Sequence, residues 1–185
     1  MTSALIFDCD GTLADTMPAH YQAWLDILRP YGVIFPETRF YDLGGVPTQE
    51  ISKLLFAEAG LQVDPLSVAA AKEQAFLTRI IHVQPIAKVV DVARAARGTL
   101  PMSVASGGQR SVVELTLRQI GIRDWFEILV TAEDTVRHKP EPDVFLEAAR
   151  RMNVPAHICT VYEDTDLGIE AAGRAGMRFV DIRKM

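Results

Sequence analysis

Two aspartates near the N-terminus have residue types and a spacing that could do chemistry. Asp8 and Asp10 lie in the segment 8–12, which reads DCDGT and directly follows the apolar run 4–7. Side chains two residues apart on an extended segment share a side, so both carboxylates are expected in the crevice beyond the carboxyl end of a strand. Such a pair suits metal-assisted phosphoryl transfer, with one carboxylate as nucleophile and the other as acid or base. The alternative interpretation is a strand followed by an ordinary Asx or glycine turn.

Three further polar segments follow downstream. Ser106 comes after the predicted strand 102–105 and precedes two glycines, whose free N–H groups could hold an anion. Lys139 stands before a proline, and Glu163-Asp164 follow the predicted strand 158–162. Each has an ordinary alternative: a loop, a surface lysine and a helix N-cap. However, Asp8, Ser106 and the acidic pair all fall at predicted strand ends, where a parallel sheet gathers its reactive groups.

In this order, the four segments resemble the four motifs of the haloacid dehalogenase (HAD) superfamily of phosphatases. The resemblance covers nearly the whole chain and implies catalytic roles for Asp8, Asp10, Ser106 and Lys139. Asp8 would be the nucleophile that forms an aspartyl-phosphate, which water then hydrolyses. Asp10 would protonate the leaving alkoxide and later deprotonate the water. These roles require a raised pKa for Asp10 and an ionised Asp8.

The resemblance also implies an anion site and a metal site. The phosphate-binding residues would be Asp8, Thr12, Ser106, Gly107 and Lys139. The metal would be Mg²⁺, because all the candidate ligands are hard oxygens, with Mn²⁺ left open. These ligands are Asp8, Glu163, Asp164 and the main-chain carbonyl of Asp10.

The composition sets outer limits on function. With 49% hydrophobic and 23% charged residues, the 185-residue chain reads as a globular protein with one domain, or one domain carrying an insert. A net charge of −5 without a basic cluster argues against a nucleic-acid partner. No apolar stretch approaches the length of about eighteen residues needed to span a membrane, and no basic leader precedes a hydrophobic run. We therefore expect no membrane partner and a cytoplasmic location, with Cys9 and Cys159 as buried fillers.

The pattern along the chain predicts an α/β fold. Helical periodicity fills residues 16–85: a first helix opens at Pro18, a second ends at Gly60, and a third runs from Asp64 to about Ile81. From residue 85 onward helices alternate with strands at 102–105, 128–130, 158–162 and 179–182, and a capping box at Ser111 predicts one helix start. Alternation of this kind predicts a Rossmann-like, doubly wound parallel sheet. The core would comprise residues 1–15 and 86–185, and residues 16–85 would form a helical cap inserted after strand 1.

The HAD resemblance implies that this cap closes as a lid and selects the substrate. His20, Gly45 and Thr48 are the candidate substrate contacts, whereas Trp24 is better explained as core. A small phosphorylated metabolite, a sugar phosphate or a related ester, is the expected partner. A monomer is expected because no helix follows the last strand.

Two subgroups of the superfamily are similar in cap position and length: β-phosphoglucomutases and small fructose-1-phosphate phosphatases. The mutases hold a second phosphate with an arginine in the cap loop and a lysine after the serine motif. Here Thr48 and Gln109 stand at those positions, although Arg110 could partly substitute. We therefore favour a phosphatase over a mutase. A phospho-receiver domain is disfavoured because such domains carry no helical insert after strand 1.

Overall fold

A single parallel sheet forms the centre of the protein. The computed structural model describes residues 4–185, in which five strands lie in the order β3-β2-β1-β4-β5. All neighbouring strands are parallel, and β1 pairs with both β2 and β4. The strands are β1 (Ala4–Phe7), β2 (Met102–Ala105), β3 (Ile128–Val130), β4 (Cys159–Glu163) and β5 (Arg178–Asp181). The predicted α/β, doubly wound fold is confirmed.

Eight α-helices accompany the sheet in the described part of the chain. Four of them follow β1 directly in the sequence: α1 (Met17–Leu28), α2 (Glu37–Asp42), α3 (Thr48–Glu58) and α4 (Pro65–Leu77). The other four are α5 (Ala87–Ala96), α6 (Arg110–Gln119), α7 (Asp143–Arg151) and α8 (Asp166–Arg174). Within residues 4–185, no helix combines the length and the apolarity that crossing a bilayer requires.

The central strand supplies side chains to both faces of the sheet. Leu5 and Phe7 pack with residues of α5 and α6, whereas Ala4 and Ile6 pack with residues of α7 and α8. This division follows from the alternation of side chains along a strand, and it explains why β1 is apolar at every position. The strand is fixed from both sides, so the residue that follows it, Asp8, starts from a rigid position.

The helices between β1 and α5 have a hydrophobic core of their own. Trp24 is 1% exposed and packs there with Phe35, Phe40 and Phe56, as the core interpretation of Trp24 predicted. The two ends of this helical segment run side by side. The N–H of Asp15 donates to the Gln84 carbonyl (2.9 Å).

Three local predictions differ from the structure. The capping box at Ser111 is wrong: α6 begins at Arg110, whose N–H donates to the Glu133 carboxylate (2.9 Å), so a residue from a distant loop caps this helix. The helix that begins after Asp64 ends at Leu77 and is followed by a separate turn of 3₁₀ helix, Ile80–His82. The six-residue α2 was not predicted, because a helix of that length shows too few periodic positions.

Candidate active site

The predicted motif residues converge at the carboxyl ends of the strands. Asp8 follows β1, Ser106 follows β2, and Glu163 ends β4. Lys139 comes from the loop between β3 and α7, and its Nζ donates to Asp8 Oδ1 (2.7 Å) and to Glu163 Oε1 (3.3 Å). All three charged side chains are buried. Lys139 thus bridges the first motif and the fourth at the carboxyl ends of the strands.

Three carboxylates surround this lysine. Asp8, Glu163 and Asp164 each offer an oxygen atom within 4.8 Å of the others. Burial, reinforced by the neighbouring Glu163 charge, raises the pKa of Asp8 well above its usual value, although Lys139 opposes the shift. Burial and Glu163 likewise raise the pKa of Asp164 to about 7, against the hydrogen bond from Thr12. The site therefore has more negative charge than its one lysine compensates.

A hard divalent cation fits this donor set. Carboxylate oxygens clustered at this spacing are the ligands that Mg²⁺ prefers, and a bound cation favours their ionised forms. Asp8 and Asp164 are the better placed ligands. Both oxygens of Glu163 are already in use: Oε1 accepts from Lys139 and from Thr165 Oγ1 (2.6 Å), and Oε2 from the Asp164 N–H (3.1 Å). The Asp10 carboxylate lies outside this cluster, and its main-chain carbonyl stays a predicted ligand.

Two glycines make room for the acidic groups. Gly11 has a φ of +82°, and a Cβ there would collide with Asp164 Oδ2. Gly168 lies in the first turn of α8, where a Cβ would overlap the Glu163 carboxylate. Any larger side chain at either position would displace a carboxylate of the cluster.

Thr12, a predicted phosphate-binding residue, makes its hydrogen bonds within the protein. Its hydroxyl donates to Asp164 Oδ1 (2.8 Å), and its N–H donates to the Cys9 carbonyl (3.3 Å). Both donors are therefore used inside the protein, and Thr12 is fully buried. In this arrangement the Thr12 hydroxyl orients Asp164, and the phosphate contact of Thr12 stays a prediction.

Ser106 and the two glycines that follow it are the predicted anion cradle. Ser106 is 1% exposed, its Oγ accepts from the Gly108 N–H (3.0 Å), and all three residues line a cavity that also reaches Asp8. Gly107 packs against the main chain of Gly45, and a Cβ at Gly107 would collide with the Gly45 carbonyl oxygen. The helical segment is therefore in direct contact with the cradle.

Asp10 is held from the helical segment. Its Oδ1 accepts hydrogen bonds from Thr16 Oγ1 (2.8 Å) and from His20 Nε2 (3.2 Å). Although burial favours the neutral acid, these bonds and the nearby Lys72 charge leave the pKa of Asp10 below its usual value. The proposed acid/base roles require a raised pKa for Asp10 and an ordinary or lowered pKa for Asp8. In this structure the order is the opposite: the pKa of Asp10 is lowered and that of Asp8 is raised. A cation bound to Asp8 would lower the pKa of Asp8, and the negative charge of a bound ester would raise the pKa of Asp10.

A chain of polar contacts continues from Asp10 into the helical segment. His20 stacks on Phe76 with 3.8 Å between ring centroids, and its Nδ1 accepts from Lys72 Nζ (2.8 Å). Because Nδ1 accepts, Nε2 is the protonated nitrogen that donates to Asp10. Lys72 Nζ also donates to Glu73 Oε1 (3.0 Å), which accepts from Thr48 Oγ1 (2.6 Å) as well.

A cavity with about 670 Å³ of free space, part of it open to solvent, lies between the sheet edge and the helical segment. The predicted substrate contacts His20, Gly45 and Thr48 all line it, as do Lys72 and Glu73. The sequence analysis missed the last two. They occupy the buried side of α4 between apolar positions, and two charged residues within an apolar stripe are the feature that could have revealed them.

The two positions at which the mutases carry a cationic residue for the second phosphate also line the cavity. Thr48 and Gln109 both do, and neither carries a charge. Arg110 does not substitute for a cation there: its guanidinium binds Asp134 and the Leu129 carbonyl instead. Among the residues that the structure describes, Lys72 is the one lysine or arginine lining this cavity, and it is paired with Glu73.

Comparisons with known proteins agree with this site. A family model described as haloacid dehalogenase-like hydrolase matches residues 2–176. Fructose-1-phosphate phosphatase YqaB of Escherichia coli (strain K12) is 38% identical over 182 residues, which make up 98% of this chain and 96% of that protein. Validoxylamine A 7'-phosphate phosphatase of Streptomyces hygroscopicus subsp. limoneus is 30% identical over 96% of this chain and 84% of its own length.

A solved structure shows the same fold. The β-phosphoglucomutase from Clostridium difficile has a TM-score of 0.85 at 22% sequence identity, covering 97% of this chain and 83% of that one. At this identity the likeness concerns the fold alone. Together with the family match, it confirms the resemblance that the four motifs predicted, and the chain belongs to the haloacid dehalogenase-like hydrolases.

Proposed function

We propose that this protein is a Mg²⁺-dependent phosphatase that hydrolyses a small phosphate monoester, a sugar phosphate, through an aspartyl-phosphate intermediate. One observation carries the proposal. Asp8 belongs to the carboxylate cluster, pairs with Lys139 and also lines the cavity. Glu163 shares these properties, but both of its oxygens already accept hydrogen bonds within the protein. Asp8 is therefore the better placed nucleophile to attack a phosphate held beside a cation.

In the first step an Asp8 oxygen attacks the phosphorus and the bond to the alcohol oxygen breaks. Lys139 donates to Asp8 Oδ1 and keeps positive charge beside the transferring group, while Ser106 and the Gly107 N–H hold its oxygens. A bound Mg²⁺ supplies the remaining charge compensation. Asp10 gives its proton to the departing alkoxide.

In the second step water hydrolyses the phosphorylated Asp8. Asp10, now ionised, takes a proton from that water, which attacks the phosphorus as the bond to the aspartyl oxygen breaks. His20 and Thr16 hold Asp10 through Oδ1 in both steps. The two connections at Asp15 and Gln84 would serve as hinges on which the helical segment moves as a cap.

The relatives support the substrate class. Two relatives at 30% identity or more are named as phosphatases of fructose 1-phosphate and of validoxylamine A 7'-phosphate. A 6-phosphogluconate phosphatase of Escherichia coli is 28% identical over 94% of this chain. A monophosphorylated sugar or polyol is therefore the class of substrate that we propose.

The test is phosphate release with Mg²⁺ from fructose 1-phosphate, β-glucose 1-phosphate, 6-phosphogluconate, phosphoglycolate and pyrophosphate. Asp8→Asn is the control, because it keeps the shape of the side chain and removes the nucleophile. We expect release from the sugar phosphates that disappears in Asp8→Asn and in excess EDTA. Release that survives in Asp8→Asn would contradict the aspartyl-phosphate mechanism.

The second candidate is a sugar-phosphate mutase, favoured only by the shared fold of β-phosphoglucomutase. The uncharged Thr48 and Gln109 in the cavity argue against it, because a bisphosphate intermediate needs a second cationic group while it reorients. Assaying the β-glucose 1-phosphate reaction for glucose 6-phosphate decides the matter. Glucose 6-phosphate without free phosphate would establish the mutase.

A further inference from the structure

Glu73, on α4, lines the cavity and has one carboxylate oxygen that no described residue pairs with. Its side chain is 8% exposed, and Glu73 lines the cavity together with Lys72. Oε1 accepts from Thr48 Oγ1 (2.6 Å) and Lys72 Nζ (3.0 Å), whereas Oε2 is buried and accepts nothing from residues 4–185. A buried charged acceptor left unpaired is costly, so a donor from a ligand would complete it.

Lys72 provides a donor next to this acceptor. Its ammonium has three N–H groups, and two of them are used by His20 Nδ1 (2.8 Å) and Glu73 Oε1 (3.0 Å). The third has no acceptor in the part of the chain that the structure describes. Lys72 and Glu73, consecutive on α4, thus keep one N–H and one carboxylate oxygen without partners among the described residues. A hydroxyl group both donates and accepts, so this pair suits the hydroxyls of a sugar or polyol.

The charges at this end of the cavity balance. Lys72 lies within 6 Å of the Trp24 and Phe76 ring centroids, at 5.9 and 5.8 Å, and its charge is compensated by Glu73. A second phosphate or a carboxylate on the substrate would therefore meet Glu73 with no uncompensated cation beside it. Repulsion by a buried charge is an effective means of rejecting a wrong substrate.

We propose that Glu73 determines substrate specificity: Oε2 accepts a hydrogen bond from a hydroxyl of the leaving alcohol, and the Glu73 charge rejects alcohols that carry a second anionic group. The inference rests on the proposed phosphatase function and adds to it a preference for neutral, hydroxylated alcohols.

Three esters separate the two effects. Sorbitol 6-phosphate and 6-phosphogluconate share a carbon chain and differ in a terminal hydroxymethyl against a carboxylate, and phenyl phosphate has no hydroxyl. The measured quantity is the ratio of kcat/KM between two esters in the same preparation. A folding defect lowers both values by the same factor and leaves the ratio unchanged.

In the wild type we expect sorbitol 6-phosphate to be preferred to 6-phosphogluconate by about tenfold or more. Glu73→Gln removes the charge and keeps an acceptor, and should reduce this preference about tenfold. Glu73→Leu removes the acceptor as well, and should also reduce the preference for sorbitol 6-phosphate over phenyl phosphate about tenfold. The matched control is Glu50→Gln, the same change at an exposed glutamate of α3, which should leave both ratios unaltered.

The outcomes distinguish the inference from the function beneath it. If the wild type releases phosphate, Asp8→Asn does not, and both ratios stay within about twofold of wild type in the Glu73 variants, the inference is overturned and the phosphatase stands. A wild type that prefers 6-phosphogluconate also overturns it. If no ester yields phosphate, the phosphatase and the inference fail together.

Discussion

Replacing Lys139 by methionine tests the electrostatic description of the site without any assay of activity. Lys139 Nζ lies 2.7 Å from Asp8 Oδ1 and 3.3 Å from Glu163 Oε1, and all three side chains are at least nine-tenths buried. Methionine fills similar space without the charge. Lys139→Met therefore leaves Asp8, Glu163 and Asp164 clustered with no cation beside them, which is the costly way to break a buried ion pair.

The magnitude follows from two independent estimates. Removing one partner of a buried pair typically costs about 3–5 kcal/mol. The protein can limit this cost by protonating one of the carboxyl groups. Protonation costs about 1.4 kcal/mol for each pH unit above an ordinary pKa near 4. The loss of stability therefore cannot exceed about 5 kcal/mol at pH 8 or about 1.4 kcal/mol at pH 5. For a chain of this size, about 3–5 kcal/mol lowers the thermal midpoint by roughly 6–20 °C.

The sign of the pH dependence is fixed by the direction of the shifts. A carboxyl whose pKa is raised by folding destabilises the protein as the pH rises above its unfolded value. Burial already raises the pKa of Asp8, and that of Asp164 to about 7, and loss of Lys139 removes an opposing cause in both cases. The destabilisation of Lys139→Met should therefore grow as the pH rises from about 4 through 7.

The assay is urea unfolding of wild type and Lys139→Met in EDTA at pH 5 and pH 8. The control is Lys53→Met, which removes an exposed lysine paired with Glu50 (2.7 Å) and should cost no more than about 0.5 kcal/mol. A loss below about 1 kcal/mol at pH 8, or a loss that is equal at the two pH values, would refute the account of a buried carboxylate cluster held by one lysine.

Three further outcomes are expected. In Gly107→Ala the new Cβ collides with the Gly45 carbonyl, so kcat/KM should fall about tenfold or more, while thermal unfolding shows a midpoint within a few degrees of wild type. Mg²⁺ at about a hundred times its Kd should raise the thermal midpoint by roughly 5–10 °C in wild type and much less in Asp164→Asn, as read by calorimetry. Asp134→Ala should lower the free energy of unfolding by about 1–3 kcal/mol in urea titrations, since Asp134 accepts from Arg151 (2.8 Å). Burial favours the neutral form of Asp134, but its hydrogen bonds lower its pKa to about 2. The contribution of Asp134 to the free energy of unfolding should therefore be lost as the pH falls from about 4 to 2.

The sheet was predictable because buried parallel strands are short, mainly apolar runs. Strands β2 and β3 have the predicted bounds, 102–105 and 128–130, and β5 is displaced by one residue. Elements that depend on distant partners were not predictable in this way. The start of α6 is fixed by Glu133, from a loop that follows the next strand, and nothing near Ser111 in the sequence indicates that contact.

The same distinction applies to the site. Asp8, Ser106 and Glu163 could be placed together because each follows or ends a strand of one parallel sheet. The direction in which the pKa of Asp10 is shifted could not be predicted, because it depends on where the helical segment places Thr16 and His20. Lys72 lies 52 residues from His20 in sequence, so only the packing of α4 on α1 brings these two partners together.

The two ends of the cavity have different charge balances, and this difference connects the chemistry with the choice of substrate. At the sheet edge, one lysine faces the three clustered carboxylates, so the site is incomplete without a further cation and is suited to a phosphate bound beside it. In the helical segment, Lys72 faces the single carboxylate of Glu73 and leaves hydrogen-bonding groups without net charge. A substrate with one anionic end and one neutral, hydroxylated end fits both ends of the cavity, whereas a bisphosphate fits only the end at the carboxylate cluster. The charge balance thus argues for a phosphomonoesterase independently of the relatives' names.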